Sequence, residues 1–204
     1  MCFEHDTLPQ QVELPPEMNP QAIQSDMATD QPWLEEFWKI HADNDVTIHT
    51  AAEFSSFNDA ERFSNSDCLR RPRVDAYALR GLLSALVSDE VSEAFSKVAG
   101  SGRVSFMTAD IARYRPGHYL RRHDDVFDGR IFGLVFFLHD SWEKSDGTRL
   151  IAEHPDGRSV VIELLPGTMA LMRLSKGYFH QVEQNFSSDW TRYSIAAHFG
   201  IKSA

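Results

Sequence analysis

Two hydrophobic periods run along this chain, and the change from one to the other falls near Gly102. Upstream, Ala76, Leu79, Leu82, Leu83 and Leu86 recur at three- and four-residue spacing, which predicts an amphipathic helix. Ser88-Asp89-Glu90 reads as a helix restart with acid in the first turn, and Gly100 as a C-terminal stop. Two helices are therefore expected between residues 74 and 100. Earlier still, WLEEFWKIH spaces Trp33, Leu34, Phe37, Trp38 and Ile40 as a short helix, VTIHTA reads as a strand and NDAERFSN as a helical turn. Downstream of Gly102 the period shortens. RVSFMTADIARY, YLRRHDD, IFGLVFFLH, TRLIAEH, RSVVIEL, TMALMRL, YFHQVEQ and RYSIAAHFG are short runs rich in Val, Ile, Phe and Tyr. SDG at 145–147, PDG at 155–157 and LPGT at 165–168 punctuate them as turns.

About eight short strands at regular spacing predict a jelly roll, a double-stranded β-helix of the cupin-like kind. Helices first and strands afterwards make the chain α+β, with the N-terminal helices packed on one sheet. Residues 1–31 carry Pro9, Pro15, Pro16 and Pro20 among Gln, Glu and Asp, which reads as an extended or poorly ordered arm. Residues 32–204 are expected to form a single domain, with a helical part at 32–100 and the jelly-roll core at 101–204.

Composition narrows the partners. Of 204 residues, 42% are hydrophobic and 25% charged, as in ordinary globular domains. No apolar run is long enough to predict a membrane helix, and the N-terminus lacks the basic and apolar regions of a secretory signal. Two cysteines, Cys2 and Cys68, without a CxxC pattern favour a reducing, cytoplasmic setting. The net charge of −10 argues against a nucleic-acid partner, and the short basic run Cys68–Arg73 reads as a solvated loop.

Candidate chemistry begins at HDD. In a strand, residues i and i+2 share a face, so His123 and Asp125 point together while Asp124 points away. Two ligands do not make a site. His180 is the natural third, because KGYFHQVEQN places it inside an aromatic strand after the LPGT turn. A buried, satisfied histidine or a surface acid cluster is the competing explanation. Arg192 and Ser194 then share a face of the last strand, twelve residues past His180. An arginine within an apolar strand needs a carboxylate or phosphate partner. Either Glu163 or Glu183 pairs with it across the sheet, or it receives a carboxylate on a small ligand. Two His and one carboxylate on a metal leave open positions, the pattern of non-haem Fe(II) oxygenases.

RYRPGHYLRRHDD, FHQVEQN and TRYSIAAHFG resemble the HxD…H…R-x-S pattern of Fe(II)/2-oxoglutarate-dependent oxygenases, in the prolyl-4-hydroxylase-like branch. Within it, HDD, GRIFGLVFFL, Trp142 and GTRL are similar to the catalytic domain of ribosomal-protein prolyl hydroxylases. The resemblance spans about residues 100–200. It implies iron ligation by His123, Asp125 and His180, and capture of the distal carboxylate of 2-oxoglutarate by Arg192 with Ser194. It further implies that Tyr114 hydrogen-bonds the cosubstrate and that Leu134 and Phe136 wall it. The resemblance also implies O2 as co-reactant and ascorbate as a stimulant. The family's GG ahead of the fourth strand is DGT here, and the chain is too short for the second, degenerate barrel of that relative.

The implied reaction is hydroxylation of an unactivated C–H bond on a prolyl or other protein residue, or alternatively on a free amino acid or small metabolite. Arg122, Asp124, Arg130, Trp142, Arg173 and Asn185 lie near the expected mouth as candidate substrate contacts. Competing classes are a zinc hydrolase, since zinc accepts the same donors, and a cupin-like binding module.

Overall fold

The computed structural model describes residues 9–15, 18–40, 46–50, 64–100, 102–126 and 129–201. All eight expected strands form: β5 (Ser105–Tyr114), β6 (Tyr119–His123), β7 (Arg130–Phe137), β8 (Leu150–Glu153), β9 (Ser159–Ile162), β10 (Thr168–Arg173), β11 (Phe179–Val182) and β12 (Arg192–Gly200). Four more precede them: β1 (Gln10–Glu13), β2 (Leu34–Ile40), β3 (Val46–Thr50) and β4 (Ser64–Cys68). The strand order β1-β10-β7-β12-β5-β4-β6-β11-β8-β9 is antiparallel throughout. It folds as two jelly-roll layers, β1-β10-β7-β12-β5 and β6-β11-β8-β9. The short β4 joins them, pairing with β5 at Cys68↔Ala112 and with β6 at Ser64↔Leu120. Its buried Asp67 accepts from Arg113 Nε at 2.5 Å and Arg115 Nε at 2.7 Å, which clamps β4 to the β5 end of the barrel.

Among the described residues three helices accompany the strands, and the two between residues 74 and 100 were expected. α1 (Pro20–Ala28) is capped by Asn19, whose side chain accepts from the Ala22 amide. α2 (Tyr77–Leu86) buries Leu79, Leu82 and Leu86. α3 (Asp89–Ala99) has Ser88 as its N-cap and Gly100 at φ 70° as its stop, a conformation that glycine adopts without a Cβ penalty.

Two expectations differ from the structure, and a third falls almost wholly outside the described residues. Residues 34–40 form β2, not a helix, because β3 and β4 hydrogen-bond to its two edges; pairing overrides a short helical pattern rich in aromatics. The stretch 1–31 is not simply extended: β1 pairs with β10 and α1 packs against α2, burying Ile23 and Met27. The helical turn at 58–65 falls outside the described residues, apart from Ser64 and Asn65, which open β4.

Alternation along the strands divides the apolar residues between two cores. Leu134 and Phe136 of β7 and Ile195, Ala197 and Phe199 of β12 face the helices, with Phe95 stacked on Phe199 at 4.3 Å between ring centroids. Val135 and Phe137 face inward and join Tyr114, Leu150 and Val182 between the layers. The inner face of β12 carries Arg192, Ser194, Ala196 and His198 instead of large apolar groups. A cavity opens there.

Candidate active site

The cavity holds ≈ 640 Å³ of space outside protein atoms, part of it open to solvent. One side is built by the end of β6 and by β11, which pair at His123↔His180 and set the two imidazoles 4.0 Å apart between ring centroids. Asp125 lies beyond β6, not within it, with φ 53°. Convergence therefore does not come from strand alternation. A left-handed residue turns the carboxylate back, at a backbone cost of order 1–3 kcal/mol, and strain of this kind is held where surrounding contacts dictate it. Asp125 Oδ1 lies 3.5 Å from His123 Nε2, and Oδ2 lies 3.2 Å from His180 Nε2. The three ligand atoms all lie within 4.8 Å of one another, and all three residues are buried.

The donor set suits a divalent metal. His123 Nδ1 is 2.7 Å from the Arg121 carbonyl. A carbonyl only accepts, so Nδ1 carries the proton and the Nε2 lone pair faces the cluster, the orientation a ligating histidine needs. Burial alone would raise the Asp125 carboxyl, but the charge of His123 and hydrogen bonds from His123, His180 and His198 outweigh it and hold it well below the carboxylate range. Burial works against a charged His123, yet Asp125 lifts its pKa above the ordinary value; burial and the His123 charge together lower that of His180. One charged carboxylate between two imidazoles is a preformed cation site.

Arg192 lies in the same cavity and is 1% exposed. Its Nη1 donates to the Thr148 carbonyl at 2.8 Å, while its buried Nε has no partner. Burial pushes its pKa down to about 10. The alternative pairings are taken up elsewhere: Glu183 binds Arg149 at 2.6 Å and Glu163 binds Lys144 at 2.5 Å. Tyr114 pairs with Arg192 across β5 and β12, its ring 5.1 Å from the guanidinium carbon. Burial raises the Tyr114 hydroxyl to about 12, so it remains a neutral donor. Ser194 lines the cavity next to Arg192. A buried guanidinium with a spare donor and no carboxylate among the described residues is a receptor for an anionic ligand.

The remaining sequence candidates fall elsewhere. Leu134 and Phe136 lie on the helix side of β7, and Val135 takes the wall position, because the strand's parity is one residue away from the expected one. Asn185 is structural: it is 1% exposed, and its Nδ2 donates to the carbonyls of Tyr114 at 2.8 Å and Trp190 at 3.0 Å. Trp142 donates to the Gly147 carbonyl at 3.0 Å and packs on the inner core. Arg122 pairs with Glu153 at 2.7 Å and covers the Phe179 ring. Asp124 accepts from the Val126 amide at 3.2 Å, a turn bond away from the cavity lining. Arg173 lies over Phe132 at 6.0 Å. Arg130 reaches the cluster, with Nη1 3.7 Å from Asp125 Oδ1.

Two residues were missed. His198 Nε2 sits 3.2 Å from Asp125 Oδ2, and Asp110 Oδ2 is 4.0 Å from His198 Nδ1. Both were legible by alternation: His198 shares the face of Arg192 and Ser194, and Asp110 shares that of Tyr114.

Residues 109–200 match the model of the 2OG-Fe(II) oxygenase superfamily. The chain's similarities run to prolyl hydroxylases. Prolyl 3-hydroxylase OGFOD1 of Xenopus laevis is 27% identical over 149 residues, 70% of this chain; the chain spans 28% of that relative's length. In fold, the chain is similar to a Pseudomonas putida prolyl-4-hydroxylase, with a TM-score of 0.65, 21% identity and coverage of 96% of this chain and 93% of the other. It is also similar to a Trichoplax adhaerens prolyl hydroxylase in complex with a hypoxia inducible factor oxygen degradation domain peptide fragment, with a TM-score of 0.65, 14% identity and coverage of 94% and 83%. The cofactor and cosubstrates of this superfamily are Fe(II), 2-oxoglutarate and O2. The triad and the unmatched arginine fit them.

Proposed function

We propose that this chain hydroxylates a prolyl residue of a polypeptide, with Fe(II) held by His123, Asp125 and His180 and 2-oxoglutarate anchored by Arg192. Iron in that site supplies the redox chemistry that couples decarboxylation of 2-oxoglutarate to oxygen insertion at a C–H bond. The protein's own residues do the positioning. Arg192 binds the distal carboxylate through its Nε and second Nη, while Nη1 stays fixed on Thr148. Tyr114 and Ser194 orient that end with hydroxyl groups, and Val135, Leu150 and Val182 exclude water around the chain of the cosubstrate. His198 holds the second oxygen of Asp125, so the carboxylate keeps one orientation.

One observation carries this reading: a buried guanidinium with an unpaired Nε lines the same cavity as a His-Asp-His cluster. A zinc hydrolase requires no such arginine. Polypeptide prolines are favoured over free metabolites by the likeness to a relative named as a prolyl 3-hydroxylase. The test is succinate release by the full chain with Fe(II), ascorbate and 2-oxoglutarate, over a panel of proline-containing peptides and free amino acids. Peptide-dependent turnover that requires O2 and is lost in His180→Ala supports the proposal. Turnover with Zn2+ in the absence of O2, or on free amino acids alone, overturns it.

A further inference from the structure

The strand that carries Tyr114 and Asp110 is paired along only part of one edge. β5 is bonded to β12 from end to end, but β4 meets it only at Asp67↔Arg113 and Cys68↔Ala112. The last bond on that side runs from the Leu69 amide to the Ile111 carbonyl at 2.8 Å, after which the chain bends away at Arg70. In an antiparallel ladder alternate residues turn their N–H and C=O to the same edge. Arg113 and Ile111 face β4, so Ala109 faces that edge as well. Among the described residues nothing takes up its N–H and C=O there.

This bare edge lies in a groove. Pro72, Leu83 and Val87 wall it from the opposite side, and the same three residues border a further recess over α2 that includes Arg80 and Gly81. At its inner end the groove shares Cys68 and Asp110 with the metal cavity. The recess over α2, the groove along β5 and the active-site cavity therefore adjoin through shared lining residues. Arg70 and Arg80 line it and are exposed, on a chain whose net charge is −10.

We infer that this groove binds the polypeptide substrate as an added strand on β5, with acidic residues of the substrate against Arg80. The inference rests on the reading of the protein as a peptide hydroxylase. Strand addition makes main-chain bonds the source of affinity and leaves alternate side chains to set specificity. It also accounts for a proline as the target. A residue placed opposite Asp110 or Thr108 turns its own N–H away from β5, so a proline there forfeits no ladder bond. Its ring points to the Asp110 face of the sheet, which is the cavity. The residue beside the proline then lies opposite Ala109 and supplies the N–H and C=O that pair with it.

The test uses the full chain loaded with 2-oxoglutarate and Zn2+, which the donor set accepts but which carries out no redox chemistry. The probes are ten-residue peptides with one central proline, flanked by glutamates or by lysines, and versions N-methylated on either neighbour of the proline. We expect the glutamate peptide to slow hydrogen exchange at the Ala109 amide and to bind about tenfold more tightly than the lysine peptide. N-methylation on one side of the proline should weaken binding about tenfold or more, and Arg80→Glu should remove the charge preference. Ala109→Pro should lose peptide binding while keeping the β12 ladder, and the N-methyl peptides give the same answer should that variant fold poorly. Peptides that are hydroxylated by the iron enzyme yet leave Ala109 unprotected, and tolerate both N-methyl groups, overturn the groove and leave peptide hydroxylation standing. If no peptide is hydroxylated at all, both fall.

Discussion

Asp125 Oδ2 is equidistant from two histidines: His180 Nε2 and His198 Nε2 each lie 3.2 Å away. Only the first belongs to the cluster of three ligand atoms. His198 instead steadies the carboxylate, and partners of this kind are worth 10- to 100-fold in metal affinity. His198→Phe should weaken Fe(II) or Mn2+ binding on the order of 10- to 100-fold, measured by calorimetry in the absence of 2-oxoglutarate. Unchanged affinity would show that His198 serves something other than Asp125.

Arg192 separates cosubstrate binding from metal binding. With no carboxylate partner among the described residues, Arg192→Ala should raise the KM for 2-oxoglutarate at least about 30-fold, equivalent to about 2 kcal/mol or more. Metal affinity should hardly move. Arg192→Lys should not restore it, because a point charge cannot reproduce the fork. Parallel loss of metal and cosubstrate binding would mean that the arginine is structural.

Adjacent residues of β7 should behave as opposites. Leu134→Ala removes a helix-facing core group and should cost about 2–5 kcal/mol of stability with no change in the KM for 2-oxoglutarate. Val135→Met adds volume on the cavity side and should raise that KM. Denaturant titration beside steady-state kinetics reads both, and an exchange of the two effects would refute the assigned strand parity.

Acid should destabilise the fold through His139. Burial lowers its pKa to about 4, and its Nε2 donates to the Leu164 carbonyl at 2.9 Å. The unfolded chain binds this proton near pH 6.5 and the folded chain only near 4, so between those values the unfolded state holds more protons and stability rises with pH. Its contribution is complete above about pH 6.5 and is lost as pH falls towards 4. The loss is on the order of 3 kcal/mol. His139→Gln should have a flatter stability profile over that window in urea titrations at successive pH values.

Much of the fold was legible because the period changes near Gly102 and turn residues mark each strand end. The candidate trio was legible because His123, Asp125 and His180 follow the HxD…H…R-x-S pattern, and the structure gathers them. What escaped depends on partners distant in sequence. Residues 34–40 form a strand because β3 and β4 hydrogen-bond to them, which no local window contains. Asp125 converges through a left-handed backbone that alternation does not describe. The wall on β7 was misplaced by one residue, since an unbroken apolar run conceals which side of the strand faces inward. Asn185 looked like a rim residue because its side chain's three hydrogen bonds reach the Tyr114 and Trp190 carbonyls and the Ser187 amide, and the first of these lies far away in the chain.

β1 has a consequence for how copies of this protein meet. It covers β10 from Thr168 to Leu171, the outermost strand of its layer. A row of main-chain groups that would otherwise be exposed is thereby occupied by the chain's own proline-flanked segment, one of the ways proteins discourage edge-to-edge association. Cutting the protein back to Asn19 would uncover that row while leaving the cavity intact. The shortened form should keep its catalytic competence and become prone to self-association as its concentration rises, so the segment guards solubility rather than chemistry.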